Sequence, residues 1–235
     1  MTQLFLMRVL TLAVPLTFAP AALCAQAVGT LPEGSPYLDL RGGQRAGIDI
    51  GYLSTGSDPA GVGPKSAAYV GLNYELHASG PVYLTSHLFG ASTDRRMLDY
   101  TKKASVRDVG NRSSVLIGAD AGLALALTGD RTWHGVQPLV HVGAGVVLGA
   151  TDKRDVSQYA FGTHLLLSYG LGARWVTGPN SELRADVTWF SWQLKYPELY
   201  RSTEGDPVAI RATGSLTPWV RNRAMTLSYA LGIFR

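Results

Sequence analysis

Cysteine is all but missing: Cys24 is the only one among 235 residues. It falls in a segment expected to be removed, so the mature chain has no disulfide and no thiolate metal site. Charge is also sparse. Only 16% of residues are Asp, Glu, Lys or Arg, where a soluble domain carries about 25%. After the N-terminal region no run of 18 apolar residues occurs, so no transmembrane helix is offered. There is no basic run and no aromatic–basic interleave, which leaves nucleic acid without a footprint. The net charge of +4 comes from scattered Arg and Lys, much of it in expected loops.

What is present starts with a leader. Residues 1–25 read MTQLFLMRVLTLAVPLTFAPAALCA. Arg8 is the only early charge, an apolar stretch from Val9 to Phe18 follows, and small residues close it. This is the pattern of a secretory signal peptide, with cleavage after Ala25 or Ala27. Pro15 and Pro20 argue against an uncleaved anchor helix. Residues 26–44 read as an irregular lead-in, and 45–235 as one β-rich domain.

Within that domain apolar and polar residues alternate with the two-residue period of a strand. In AAYVGLNYEL (67–76), Ala68, Val70, Leu72, Tyr74 and Leu76 make one face. Tyr69, Gly71, Asn73 and Glu75 make the other. The same pattern covers 46–53, 81–91, 114–128, 136–148, 159–176, 182–192 and 221–234, which makes eight strands. The segments 55–64, 92–113, 149–158 and 193–220 are the longer connections. HASGP (77–81), GDRTWHG (129–135) and TGPNS (177–181) are the short ones. In an up-and-down meander all the short turns lie at one end, together with both chain ends. Outer-membrane barrels show this asymmetry and an even strand number; a soluble sandwich has no reason to sort its loops so.

The strands fit a bilayer as well. Most run to about ten residues or more, the length needed to cross the hydrocarbon layer with tilt. One face carries Val, Leu, Ile, Ala and Tyr. The other carries Asp49, Glu75, His87, Asp120, His141, His164, Arg174, Arg184 and Asp186. Tyr52, Tyr83, Tyr159, Trp133, Trp175, Trp189 and Trp192 fall near strand ends, the place of aromatic girdles. The chain therefore reads as all-β: an eight-stranded antiparallel up-and-down transmembrane β-barrel. Residues 45–235 resemble the small eight-stranded outer-membrane proteins of Gram-negative bacteria, the OmpA/OmpX-like barrel type. The resemblance implies residence in the outer membrane and insertion by the barrel assembly machinery. Barrels of this type often end on an aromatic residue; here Phe234 is followed by Arg235.

An eight-stranded barrel is about wide enough for side chains to fill, and its buried charges must be paired. Asp49, Glu75, Asp120, Arg174, Glu182, Arg184 and Asp186 form the expected lumenal polar network. With a turn at 177–181, Arg174 is expected to face Glu182 across the pair. His77, His87, His141 and His164 share the inward parity. His87 and His141 each stand six residues above their turn, which sets them near one level. Lumenal hydrogen bonding is preferred for them over a metal site, and no cofactor is expected. His141, His164 and Ser168 are the weak candidates for an acyl hydrolase; His141 faces Ser168 if the 149–158 loop is symmetric. The 92–113 segment has six basic and three acidic residues, a net +3. Its Arg95, Arg96, Lys102, Lys103, Arg107 and Arg112 are candidates for contact with lipopolysaccharide phosphates. The preferred function is that of a non-enzymatic, monomeric outer-membrane barrel, serving envelope integrity or surface interaction through the 92–113 and 193–220 loops. The alternatives are a lipid-modifying acyl hydrolase, a narrow pore, and a soluble secreted β-sandwich or lipocalin-like binder.

Overall fold

A computed structural model describes residues 35–40, 43–150, 156–201, 210–211 and 213–234. The signal segment and most of the lead-in lie outside them. Eight long strands follow one another: β2 (Gln44–Ser54), β3 (Ala67–Ser79), β4 (Val82–Leu98), β5 (Asp108–Ala126), β7 (Val136–Gly149), β8 (Gly162–Gly178), β9 (Ser181–Gln193) and β10 (Trp219–Phe234). Each pairs antiparallel with the next. β10 then pairs with β2, from Arg223 opposite Ser54 to Phe234 opposite Gln44, so the sheet closes. Closure leaves no unpaired edge, the condition for a sheet to live in lipid. It also excludes the open sandwich.

Alternation decides which side meets what. Ile48, Ile50, Tyr52, Val70, Leu72, Leu88, Leu171 and Leu227 point outward and are exposed, Ile50 at 61% and Leu227 at 63%. Asp49, Tyr69, Glu75, Phe89, Asp120 and Asp186, on the opposite parity, are buried. An apolar belt of this extent around a monomer marks a lipid-facing surface. The short connections are Gly80–Pro81, Leu127–Gly135 and Pro179–Asn180, all at one end. Gly80 takes φ +49°, the left-handed conformation a two-residue turn demands and glycine tolerates.

Several boundaries differ from the sequence expectation. The 92–113 segment is not one loop. β4 runs on to Leu98 and β5 starts at Asp108, paired through Arg95 opposite Arg112 and Arg96 opposite Asn111. Above the bilayer neither face meets lipid, so the ladder continues without its apolar signature. The 129–135 turn and the lead-in each hold a short strand, β6 (Arg131–Trp133) and β1 (Tyr37–Asp39), paired with each other at the short-turn end. β8 begins at Gly162, which leaves Tyr159 and Phe161 in the preceding loop with buried side chains. Tyr83, Tyr159 and Trp192 are not girdle residues, since all three point inward and are buried, whereas Tyr52, Trp133 and Trp175 are exposed. The β8–β9 turn has two residues, and a bulge follows between Val176 and Gly178. Arg174 therefore stands opposite Arg184, and Val176 opposite Glu182.

Candidate functional site

The lumen is built in three storeys. The lowest, near the short turns, is ionic. Arg174 is fully buried and ion-pairs with Glu75, while its Nε lies 3.2 Å from Glu182 Oε2. Glu182 is thus reached diagonally instead of across the pair. Arg184 Nη1 lies 3.2 Å from the other Glu75 oxygen, and its Nε 2.7 Å from Asp186 Oδ2. Arg45 adds a third guanidinium, its Nε 3.2 Å from Glu182 and its Nη1 3.7 Å from Glu75. Three cations thus meet Glu75, Glu182 and Asp186. Gln137 and Tyr83 close the floor: Arg174 donates to Gln137 Oε1 at 3.1 Å and lies 5.0 Å over the Tyr83 ring. Arg45 lies outside the alternating segment read from residue 46, whereas β2 starts at Gln44. Its parity with Asp49 was the available signal.

The middle storey is polar. Asp49 accepts a hydrogen bond from Asn73, and Asp120 accepts one from Ser168. His87 Nδ1 lies 3.2 Å from Asp120 Oδ1, and His141 Nε2 lies 3.1 Å from Thr188 Oγ1. The His87 and His141 rings are 6.4 Å apart, so the two histidines do share a level. A cavity of about 20 Å³ remains among them, room for about one water molecule. Ser168 stands opposite Gly143, and His141 opposite Gly170. His141 therefore does not stand across from Ser168. The hydroxyl of Ser168 donates to Asp120, while His141 meets Thr188, so neither candidate histidine is paired with this hydroxyl as an activating base. His164, near the other end, contacts the Phe161 carbonyl. Among the described residues no group of three His, Cys, Asp or Glu could hold a metal ion.

The upper storey is an aromatic plug. Tyr69, Phe89 and Phe190 stack, with Phe89 5.2 Å from Tyr69 and 5.0 Å from Phe190. Above them, among the described residues of the 194–218 segment, Leu194, Tyr196, Tyr200 and Ile210 are buried. Tyr196 donates to Asp58, and Tyr200 donates to the Ser157 carbonyl at 3.0 Å. Arg95 is spent here too, donating to the Tyr159 carbonyl and to Ser157 Oγ, each at 3.0 Å.

Burial first, then the negative charge of Asp58, pushes the Tyr196 phenol well above its ordinary range. Burial does the same to Tyr200. The folded plug keeps protons that an unfolded segment releases near pH 10, so its stability is complete below about pH 10 and falls above it. Tyr196→Phe removes the donor and leaves Asp58 short of a partner, at a cost of about 1–3 kcal/mol. Limited proteolysis of the folded barrel should nick the 194–218 segment faster in this variant, and faster in the wild type above pH 10. Equal nicking in all three would show that the plug does not depend on this bond.

The six cations of the 92–113 segment separate. Arg95 and Arg107 are buried, Arg107 with its guanidinium 4.3 Å over the Tyr100 ring. Their burial corrects the sequence reading at those two positions: the β4–β5 ladder turns Arg95 inward, and Arg107, in the connection between the strands, folds against Tyr100. Arg96 pairs with Asp108 at 2.8 Å and Lys102 with Asp99 at 3.4 Å. Lys103 and Arg112 are exposed.

No family model and no curated protein matches the chain. Solved structures do. Neisserial surface protein A is 11% identical, aligns over 81% of this chain and 97% of its own, and gives a TM-score of 0.53. Ail of Yersinia pestis is 13% identical over 81% of this chain and 100% of its own, with a TM-score of 0.40. The outer membrane enzyme PagL is 12% identical over 80% of this chain and 99% of its own, with a TM-score of 0.39. At these identities the likeness is one of fold. The closed sheet, the apolar belt and the sorting of short turns from long loops make the chain an eight-stranded outer-membrane β-barrel.

Proposed function

We propose that the protein is a non-enzymatic barrel of the Gram-negative outer membrane that works through its outside. It supports the envelope and makes contacts with the β4–β5 hairpin end, residues 95–112, and with the plugged mouth formed by 194–218. Outer-membrane lipid is its standing partner in this reading, and the barrel assembly machinery its partner during insertion.

The observation that carries this is the double seal of the lumen. Arg174 and Gln137 are fully buried at the floor, and Trp192 and Tyr200 are buried at the top. A ligand would have to displace either an ion-paired guanidinium or an aromatic stack. The hydrogen bonds of Ser168, His141 and His164, each made to a different group, speak in the same direction. In a planar bilayer the purified barrel should show no stepwise conductance, and with lipopolysaccharide in detergent it should release no fatty acid. A conductance step would replace this reading with the pore, and acyl release lost in His141→Ala or His164→Ala would replace it with the hydrolase.

A further inference from the structure

The outward face of β10 changes character near its long-loop end. From Ile233 up through Leu231, Tyr229, Leu227 and Met225 every outward residue is apolar and exposed. The next two outward positions are Arg223 and Arg221, both exposed. They share the parity of the lipid-facing row, so they stand on the lipid side of the wall, one above the other, roughly 7 Å apart along the strand.

Their surroundings mark the level of the lipid headgroups. Arg223 lies opposite Trp189 on β9 and Ser54 on β2, and Arg221 opposite Ser191. Trp189 stacks on Tyr169 at 5.7 Å, and Met225, one step down, lies opposite Tyr52. These aromatic residues form the girdle that separates hydrocarbon from headgroup. Among the described residues neither arginine has an ion-pair or hydrogen-bond partner, and no outward residue of β2, β9 or β10 is a carboxylate. The contrast with Arg45, Arg174, Arg184 and Arg96 is direct, since each of those meets an acid within the chain.

Below the pair the wall is hollowed. A shallow, open apolar depression crosses the lipid face from β3 through β2, β10 and β9 to β8. Ala173 and Ala185, cross-strand neighbours, give it a shallow floor, and Ile50, Tyr52, Val187 and Met225 stand along it.

We propose that Arg221 and Arg223 bind the phosphate of an outer-leaflet membrane lipid whose acyl chain lies in this depression. Guanidinium forks match phosphate oxygens in pairs, Ser54 and Ser191 stand beside them in register, and the groove receives the apolar part of the same molecule. A free anion would use the arginines and leave the groove idle, so the ligand is the amphiphile. The site rests on the outer-membrane reading, because in water the groove would have no lipid to hold.

The test uses the folded barrel in detergent, with bound lipid counted by native mass spectrometry. Diphosphorylated lipid A, the same lipid dephosphorylated, and inorganic phosphate are the probes. Wild type should retain the phosphorylated lipid. Arg221→Gln with Arg223→Gln should weaken retention roughly thirtyfold, at about 1 kcal/mol for each arginine near an anionic lipid surface. The paired lysine variant should keep part of the affinity, and Arg131→Gln, at the short-turn end, should keep all of it. Equal retention by the glutamine variant, equal retention of the dephosphorylated lipid, or full competition by inorganic phosphate would each overturn the site. A heat-induced mobility shift, run on every variant, tests the barrel itself. Its loss in the wild type would sink the membrane reading, whereas its presence alongside failed lipid capture would sink only the lipid site.

Discussion

Arg174→Ala should lower the stability of the refolded barrel by about 3–5 kcal/mol, the usual cost of removing one partner of a buried ion pair. The side chain is fully buried and touches both Glu75 and Glu182. Its removal leaves those carboxylates to Arg45 and Arg184. Arg45 reaches Glu75 only at 3.7 Å, and no cation replaces Arg174 on the Gln137 side. The balance of three guanidiniums against Glu75, Glu182 and Asp186 becomes two against three in a largely buried site. Adding Glu75→Gln should recover part of the loss, because it removes the charge that Arg174 chiefly serves; recovery beyond additivity is the mark of a direct contact. Urea unfolding in detergent, followed by the heat-dependent mobility shift, measures both. A loss below about 1 kcal/mol would mean that solvent reaches the floor and screens it.

Leu72→Arg should cost about 2–4 kcal/mol in lipid, the value for a basic residue at the midplane of a barrel's outer face. Leu72 is 55% exposed and lies opposite Ile48 and Leu88, near the middle of the belt. Judged by exposure alone it is a surface residue, and a surface substitution in water stays within about 0.5 kcal/mol. The two solvents give different answers for one side chain. Unfolding measured in lipid vesicles decides between them: a negligible effect there would refute the lipid-facing assignment.

The same stretch shows what the sequence could convey. Leu72 and Asn73 sort to opposite faces because lipid and lumen demand opposite chemistry, so parity was readable along all eight strands. Wherever that demand lapses, so does the signal. The ladder from Ser92 to Leu98 continues above the bilayer with Arg95 turned in and Arg96 turned out. Both are arginine, because both sides there are polar. Tyr196 and Tyr200 carry no period at all, since they enter the mouth from a loop; only closure brings Asp58 and Ser157 to meet them. The ionic floor was legible as a set of residues, although its pairing was not. A two-residue turn alone would set Arg174 opposite Ala185; the bulge between Val176 and Gly178 sets it opposite Arg184 instead, and nothing in the alternation encodes a bulge.

The closing seam sets the terms on which this barrel exists. Seven strand contacts are made between neighbours along the chain, but the eighth joins Gln44–Ser54 to Trp219–Phe234, the first long strand to the last. Gly47 and Gly51 line it, where an added Cβ would come within 2.9 Å of Ala230 Cα and 2.8 Å of Thr226 Cα. Such a contact carries the largest loop-closure cost of the eight, because every loop between must be drawn together. Until it forms, two strands offer bare amides and carbonyls to hydrocarbon, which cannot solvate them. The architecture is therefore all-or-none in a way its repeated hairpins conceal: a chain that stops before its last 16-residue strand does not make seven-eighths of a barrel but none.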